Sequence, residues 1–195
     1  MQKLIPMSLK AISTTCLLLL ALFSFGQDKS KPPVDKSPLD ISFFPDTYPI
    51  LKIQDKALEP LCARVIYSRP QKNGRDVFGN LVEYGQVWRL GANEATEFEL
   101  YKDAKIGNKT IKKGRYTLYA IPNLDKWTII VNQDTDTWGA FKYDQKKDIV
   151  RVEVPTEKNT EMVEFYSMYF EKINKGAKLV IQWDTAKASL PILFN

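Results

Sequence analysis

The chain has 195 residues, with 28 Lys and Arg against 23 Asp and Glu, and it contains no histidine. The lack of histidine excludes Ser-His-Asp and Cys-His catalysis, zinc sites that depend on histidine, and a histidine-based pH switch. A formal net charge of +5 is mild for this length and does not indicate a nucleic-acid-binding protein.

The first 26 residues have the pattern of an export signal. Lys3 and Lys10 supply positive charge, residues 11–25 are apolar, and Ser24 and Gly26 are the small residues that a signal peptidase reads. A membrane anchor is the alternative, but the apolar run is shorter than the ~20 residues of a spanning helix. The sequence therefore predicts cleavage after Gly26, an exported protein in the periplasm or outside the cell, and no transmembrane segment after cleavage.

Residues 27–38 are polar and rich in proline, which predicts a disordered linker ahead of a single domain over residues 39–195. Loss of the leader removes two lysines and no acid, so the net charge falls from +5 to +3 and no nucleic-acid partner is expected. Cys62 is then the one remaining cysteine, which excludes an internal disulfide. It lies in a strand-like run, where we expect it to act as a small buried apolar residue.

Alternation of apolar and polar residues predicts that the domain is built from strands. The clearest alternating runs are residues 115–120, 127–132, 150–154 and 178–184. Gly107 and Asn108 form a two-residue hairpin signal, and residues 162–170 fit either a doubly buried strand or a short helix. About ten short strands at this spacing predict an all-β fold: a single antiparallel β-sandwich, jelly-roll-like, with one long ordered loop at residues 69–96.

Residues 67–96 combine arginines, glycines and aromatic residues without periodicity. The segment exceeds the ~12–15 residues of ordinary loops, and its aromatic residues argue against disorder. Arginine side chains suit a carboxylate, sulfate or phosphate, an aromatic face suits a sugar ring, and a lone acid suits a hydroxyl group or acts as a general base. The candidate ligand-binding residues are Arg69, Arg75, Tyr84, Trp88, Arg89, Asn93 and Glu94.

A purely structural role for this loop fits the same residues. Arg89 and Glu94 could pair with each other and fix the loop, while Trp88 and Phe78 close the end of the core. The turn that ends the loop needs residues that tolerate positive φ. Gly91 and Asn93, two positions apart, are the residues there most able to adopt it.

No metal site and no cofactor is expected. Residues 132–136 alternate oxygen-bearing side chains like the start of a calcium-binding loop. However, Thr137 and Tyr143 stand where such a loop needs a glycine and a bidentate glutamate. The sequence also lacks a P-loop and a G-x-G-x-x-G motif.

Several short motifs follow one another along the chain: Y-S-R-P (67–70), G-R (74–75), F-G-x-L-V (78–82), Y-G-x-V-W-R (84–89), G-A-N-E-A-T (91–96), K-G-R-Y-T-L (113–118), W-T-I-I (127–130) and W-G-A (138–140). This set resembles a family of secreted bacterial proteins, domain of unknown function 2911 (DUF2911). Glu83 departs from the family pattern, which has a proline there. The resemblance implies export and a single β-rich domain, and it implies no activity.

Three functions remain open, and enzymatic activity is the least favoured. The first is a non-catalytic binding module for a glycan or a small anionic ligand at residues 69–96. The second is a structural or protein-partner-binding envelope protein that uses a sheet edge or the aromatic residues 165–170. The third is a carboxylate-dependent hydrolase with Glu94 as the acid, which needs a second carboxyl group ~5–5.5 Å away in a retaining enzyme or ~6.5–9.5 Å away in an inverting one.

Overall fold

The structure is a computed structural model that describes residues 33–194. The predicted export signal and its cleavage site after Gly26 lie outside the described residues. The strands are β1 (Leu39–Phe44), β2 (Ala63–Ser68), β3 (Thr96–Leu100), β4 (Ala104–Ile106), β5 (Lys109–Ile111), β6 (Gly114–Pro122), β7 (Lys126–Asn132), β8 (Asp148–Pro155), β9 (Glu157–Ile173) and β10 (Gly176–Phe194). Helix α1 (Tyr48–Ile53) and a 3-10 helix (Gln145–Lys147) complete the elements. Over residues 33–194, no helix has the length and apolarity to cross a membrane.

The strands form two antiparallel sheets that pack face to face, which confirms the predicted all-β sandwich. The larger sheet has the order β1-β2-β3-β6-β7-β8, and the smaller has the order β5-β4-β10-β9. The β4–β5 hairpin, with its predicted turn at Gly107 and Asn108, belongs to the smaller sheet and separates β3 from β6 along the chain. Apart from that inserted hairpin, neighbouring strands of the larger sheet follow one another along the chain as in a meander, whereas a jelly roll is built from two Greek keys.

The core lies between the sheets because alternate residues of each strand point inward. Phe98 on β3 pairs with Tyr116 on β6, Leu118 pairs with Val131 on β7, and all four side chains are buried there. Trp183 on β10 contributes from the opposite sheet. Burial of each such side chain stabilises the fold by about 1.5–3 kcal/mol, so no disulfide is needed.

Part of the outer face of the larger sheet is also covered, by residues 133–147. Tyr119 of β6 and Ile130 of β7 are buried but do not belong to the central core. The Tyr119 ring meets the Tyr143 ring edge-on at 5.1 Å, and the Thr117 hydroxyl donates to the Asp134 carbonyl at 2.7 Å. This cover blurs the alternation along β6 and makes one side of a groove described below.

Residues 162–170, ambiguous in sequence, belong to strand β9. Strand β10 has 19 residues, which would separate its ends by about 60 Å if it were straight. Yet the Phe194 amide donates to the Lys175 carbonyl at 3.0 Å, so the strand turns back on itself. Its pairing with β9 shifts register on both sides of Asp184, where φ is 53°.

The long loop, residues 69–95, is ordered because it is tied to strands of both sheets. Trp88 exchanges two backbone hydrogen bonds with Ala120 of β6, of 2.7 and 2.9 Å. The Lys72 amide donates to the Glu164 carbonyl of β9 at 2.8 Å. The backbone of the loop is thus anchored at several points, as a binding loop on a rigid scaffold would be.

We expect the protein to lose stability above pH 10. Burial raises the pKa of Tyr67 to about 12, and burial followed by the hydrogen bond to Asp148 raises that of Tyr143 to about 12. A phenol with a raised pKa contributes stability that is present below its unfolded pKa near ~10 and is lost as the pH rises through the folded value. For the buried Tyr67, this amounts to on the order of 3 kcal/mol.

The urea midpoint measured from pH 9 to pH 12 checks this expectation, together with tyrosinate absorbance. The Tyr67→Phe variant should show a shallower fall of the midpoint than the unmodified protein. A midpoint that does not change across this range would contradict the assignment.

Candidate functional site

Two of the predicted arginines, Arg75 and Arg89, line one small cavity. We call it the arginine cavity; its volume is about 170 Å³ and its wall includes Trp88, Trp183 and the backbone at Gly91. This volume lies below the ~300–1,000 Å³ of pockets that hold drug-sized ligands. The cavity therefore suits an ion or a very small molecule.

The Arg89 side chain forms no hydrogen bond or ion pair among residues 33–194. It is half-buried, and its Nε atom is shut off from solvent. Burial lowers the pKa of its guanidinium from the usual value. A lowered pKa means that the surroundings disfavour the charged guanidinium, because burial removes hydrating water and no carboxylate replaces it. An Nε–H group that is shut off from solvent without an acceptor is costly, and the guanidinium carries donors that no group among residues 33–194 uses.

Arg75 is fixed by its own loop. Its Nε donates to the Lys72 carbonyl at 2.9 Å, and Nη2 donates to the Gln71 carbonyl. No carboxylate in the part of the chain that the structure describes forms an ion pair with it. The guanidinium is thus held at the cavity with its charge uncompensated by an acid.

The backbone turn that follows Arg89 contains three residues with positive φ. Gly91 and Asn93, at 148° and 57°, confirm the sequence prediction, and Leu90 at 57° adds to them. A side chain at position 91 would place a Cβ 2.9 Å from the Ser68 carbonyl oxygen. Glycine therefore permits the loop to lie against the end of β2, which brings Arg89 to the cavity wall.

Arg69 lies apart from the arginine cavity. Its Nε donates to the Tyr166 carbonyl at 3.2 Å, Nη1 to Asp40 at 3.1 Å and Nη2 to the Ser167 hydroxyl at 3.1 Å. These three bonds join the start of the loop to β1 and β9. Arg69 is positioned as a structural link.

Trp88 is a core residue, with 7% of its surface exposed. Its ring contacts Phe78, Trp127, Tyr166 and Trp183, with centroid distances of 5.2 to 6.2 Å. Other aromatic rings therefore occupy the flat face of Trp88 that a sugar ring would need. Trp88 and Phe78 close the end of the core, as a purely structural role of the loop predicts.

Tyr84 is 38% exposed and lies over Gly79, whose added Cβ would meet the ring at 2.9 Å. It does not line the arginine cavity. Tyr84 is therefore an exposed aromatic residue on the loop surface, apart from Arg75 and Arg89.

Glu94 and Arg89 do not pair. Within residues 33–194, Glu94 takes part in no ion pair, and it lines a different cavity together with Glu97, Asp136 and Trp138. Its backbone forms a β-bridge with Trp138. The predicted residues thus separate into a basic group and an acidic group on different cavities.

Asn93 lies with the acidic group. Its Nδ2 donates to Asp35 at 3.0 Å, and its carbonyl accepts from the Gly139 amide at 2.9 Å. The Pro38 carbonyl also accepts from the Arg69 amide at 3.0 Å. Residues ahead of β1 therefore contact the loop that carries the candidate residues.

The residue that sequence reasoning missed is Trp138. It is 61% exposed and lines three cavities, of which the two larger, of about 360 and 420 Å³, lie on the outer face of the larger sheet. We call these two cavities together the Trp138 groove. Trp138 precedes Gly139, which has a φ of 66°. An aromatic residue followed by glycine also occurs at residues 78–79. This pair at 138–139 could therefore be seen in the sequence, but nothing there assigned it a role.

The calcium-like run, residues 132–136, is occupied by protein contacts. Asp134 pairs with Lys147 at 2.8 Å, and Asp136 pairs with Arg115 at 2.7 Å. Asn132 donates to Asp148 at 2.8 Å. Over the described part of the chain, no three His, Cys, Asp or Glu residues group in a way that could hold a metal ion.

Two further residues bear on the alternative functions. Cys62 is buried and burial raises the pKa of its thiol, which suits a structural apolar role. Along β9, Tyr166, Met168 and Phe170 are buried and Phe165 is exposed. The aromatic run therefore belongs mostly to the core and offers little surface to a protein partner.

The geometry describes a β-sandwich protein that carries a small cavity lined by two arginines and a larger groove lined by Trp138 and several carboxylates. Residues 52–192 match the family described as protein of unknown function (DUF2911), and the chain belongs to that family. The family resemblance drawn from the motifs is confirmed. No curated protein and no solved structure shows a match to this chain.

Proposed function

We propose that the protein is a non-catalytic binding module for a small anion, which the arginine cavity holds. The observation that carries the proposal is Arg89: a half-buried guanidinium whose Nε is shut off from solvent and has no hydrogen-bond partner among residues 33–194, on the same cavity as a second arginine. A carboxylate, sulfate or phosphate ligand would accept from both guanidinium groups. Such a ligand would also offset the desolvation of Arg89.

The volume and the lining of the cavity restrict which ligands can bind there. About 170 Å³ is small, and Trp88 and Trp183 form apolar parts of the wall. A compact oxyanion fits these limits better than an oligosaccharide. The glycan that the sequence also allowed lacks a free aromatic face at this cavity, since Trp88 is buried in the core.

Anion binding is expected to raise the melting temperature of the protein. Inorganic phosphate, sulfate and acetate are each added to the protein at constant ionic strength, with chloride as the control anion. Calorimetry measures the affinity of each anion. A ligand that binds only the native state stabilises it. At a free anion concentration of 100 times Kd, the free energy of unfolding should rise by about 2.7 kcal/mol. Arg89→Met should weaken binding at least tenfold, since it removes the charge that the anion compensates.

The same variant should not be less stable without the anion. The substitution breaks no side-chain hydrogen bond or ion pair among residues 33–194, so the free energy of unfolding should not fall. Arg69→Met is the matched control: it removes a loop arginine outside the cavity, so anion affinity should stay unchanged. An absence of saturable shifts with all three anions, or equal shifts in Arg89→Met, would contradict the proposal.

A further inference from the structure

The Trp138 groove contains an aromatic surface that the fold does not use for its own packing. Trp138 is 61% exposed and neighbouring Phe141 is 84% exposed. The backbone on either side is held, because the Gly139 amide donates to Asn93 at 2.9 Å and the Ala95 amide donates to Thr137 at 3.0 Å. A contiguous exposed apolar patch, here formed by two aromatic residues on an ordered backbone, is a feature of interaction sites.

The groove has the size of a small-molecule site. The cavities of about 360 and 420 Å³ both fall within the ~300–1,000 Å³ typical of ligand pockets. Trp138, Thr137 and Asp136 line both of them. A ligand in contact with the indole can therefore extend into either cavity.

Hydrogen-bond acceptors surround the indole. Glu94, Glu97 and Asp136 line one cavity, and Asp134 lines the other. Arg115 binds both Glu97 and Asp136, and its guanidinium holds the pKa of the Asp136 carboxyl below the usual range. An ionised carboxylate can only accept hydrogen bonds, so the groove calls for a ligand with several donors.

The charges in the groove nearly balance, which argues against an ionic ligand. Its acids are Glu94, Glu97, Asp134 and Asp136, and the bases on or beside them are Arg64, Arg115, Lys142 and Lys147. A cation would meet carboxylates that are mostly paired, and an anion would meet their negative oxygens. A neutral molecule with hydroxyl groups on an apolar ring avoids both of these unfavourable interactions.

We propose that the Trp138 groove binds a neutral saccharide, with one sugar ring stacked on the Trp138 indole and its hydroxyl groups donating to Glu94 and Asp136. The apolar C–H face of a sugar covers an exposed indole, while its rim supplies the donors that the carboxylates need. This site shares no lining residue with the arginine cavity, so it stands independently of the proposed anion site.

Binding is tested with a panel of neutral disaccharides: cellobiose, maltose and diacetylchitobiose. Tryptophan fluorescence and calorimetry report the affinity of the unmodified protein, and at least one sugar should bind saturably. Trp138→Ala should abolish binding, and Glu94→Ala should weaken it about tenfold because a charged acceptor is lost.

Two controls separate this site from the rest of the molecule. Tyr84→Ala removes an exposed aromatic residue outside the groove and should leave sugar affinity unchanged. Arg89→Met should also leave sugar affinity unchanged, although it is expected to weaken anion binding at least tenfold. Failure of every sugar in the panel to bind, or equal affinity in Trp138→Ala, overturns the saccharide proposal and leaves the anion site unaffected.

Discussion

Replacement of Trp88 by alanine is expected to lower the free energy of unfolding by about 3–5 kcal/mol, the range for truncating a large buried aromatic residue. The indole contacts four other aromatic rings and donates from Nε1 to the Gly91 carbonyl at 3.2 Å. Its loss leaves a void at the place where the long loop meets both sheets. Urea unfolding measures the change as a lower midpoint at an unchanged slope.

Trp138→Ala provides the matched control, because it makes the same substitution at an exposed indole. Its free energy of unfolding should stay within about 0.5 kcal/mol of the unmodified protein. A loss of less than about 1 kcal/mol for Trp88→Ala would show that the loop packs loosely and that Trp88 is not part of the core. The arginine cavity would then lack the rigid wall that the anion proposal requires.

The sandwich could be predicted from the sequence because its strands carry local information. Residues 115–120 and 127–132 alternate in sequence as strands do, although residues 133–147 also bury part of their outer face, and Gly107 with Asn108 fits a tight hairpin turn. The path of β10 could not be predicted in this way. Its two ends meet through a hydrogen bond between Phe194 and Lys175, and no local pattern encodes a contact between residues that far apart.

The candidate site shows the same division. Sequence chemistry identified the arginines but could not separate Arg69 from Arg89, because the acceptors of Arg69 on β9 lie 97 and 98 residues along the chain. It also could not separate Trp88 from Trp138. Both lie in irregular segments beside residues with positive φ, and tertiary packing buries one and exposes the other.

Gly176→Ala is the second substitution with a large expected effect, a loss on the order of 3 kcal/mol. Gly176 begins β10 at the point where the end of the same strand returns. An added Cβ would clash with the Ile192 carbonyl oxygen and lie 2.9 Å from the Leu193 Cα. Both neighbours are backbone, so neither can rotate away, and the two ends of β10 would have to separate.

Gly74→Ala separates this clash from the general effect of replacing a glycine. Gly74 has a φ of 70° and no atom within 4 Å of an added Cβ, so its substitution meets only backbone strain of about 1 kcal/mol. The urea midpoint of Gly176→Ala should therefore fall well below that of Gly74→Ala. Equal midpoints would mean that β10 does not double back at Gly176, and the pairing of its end with β4 would need a different path.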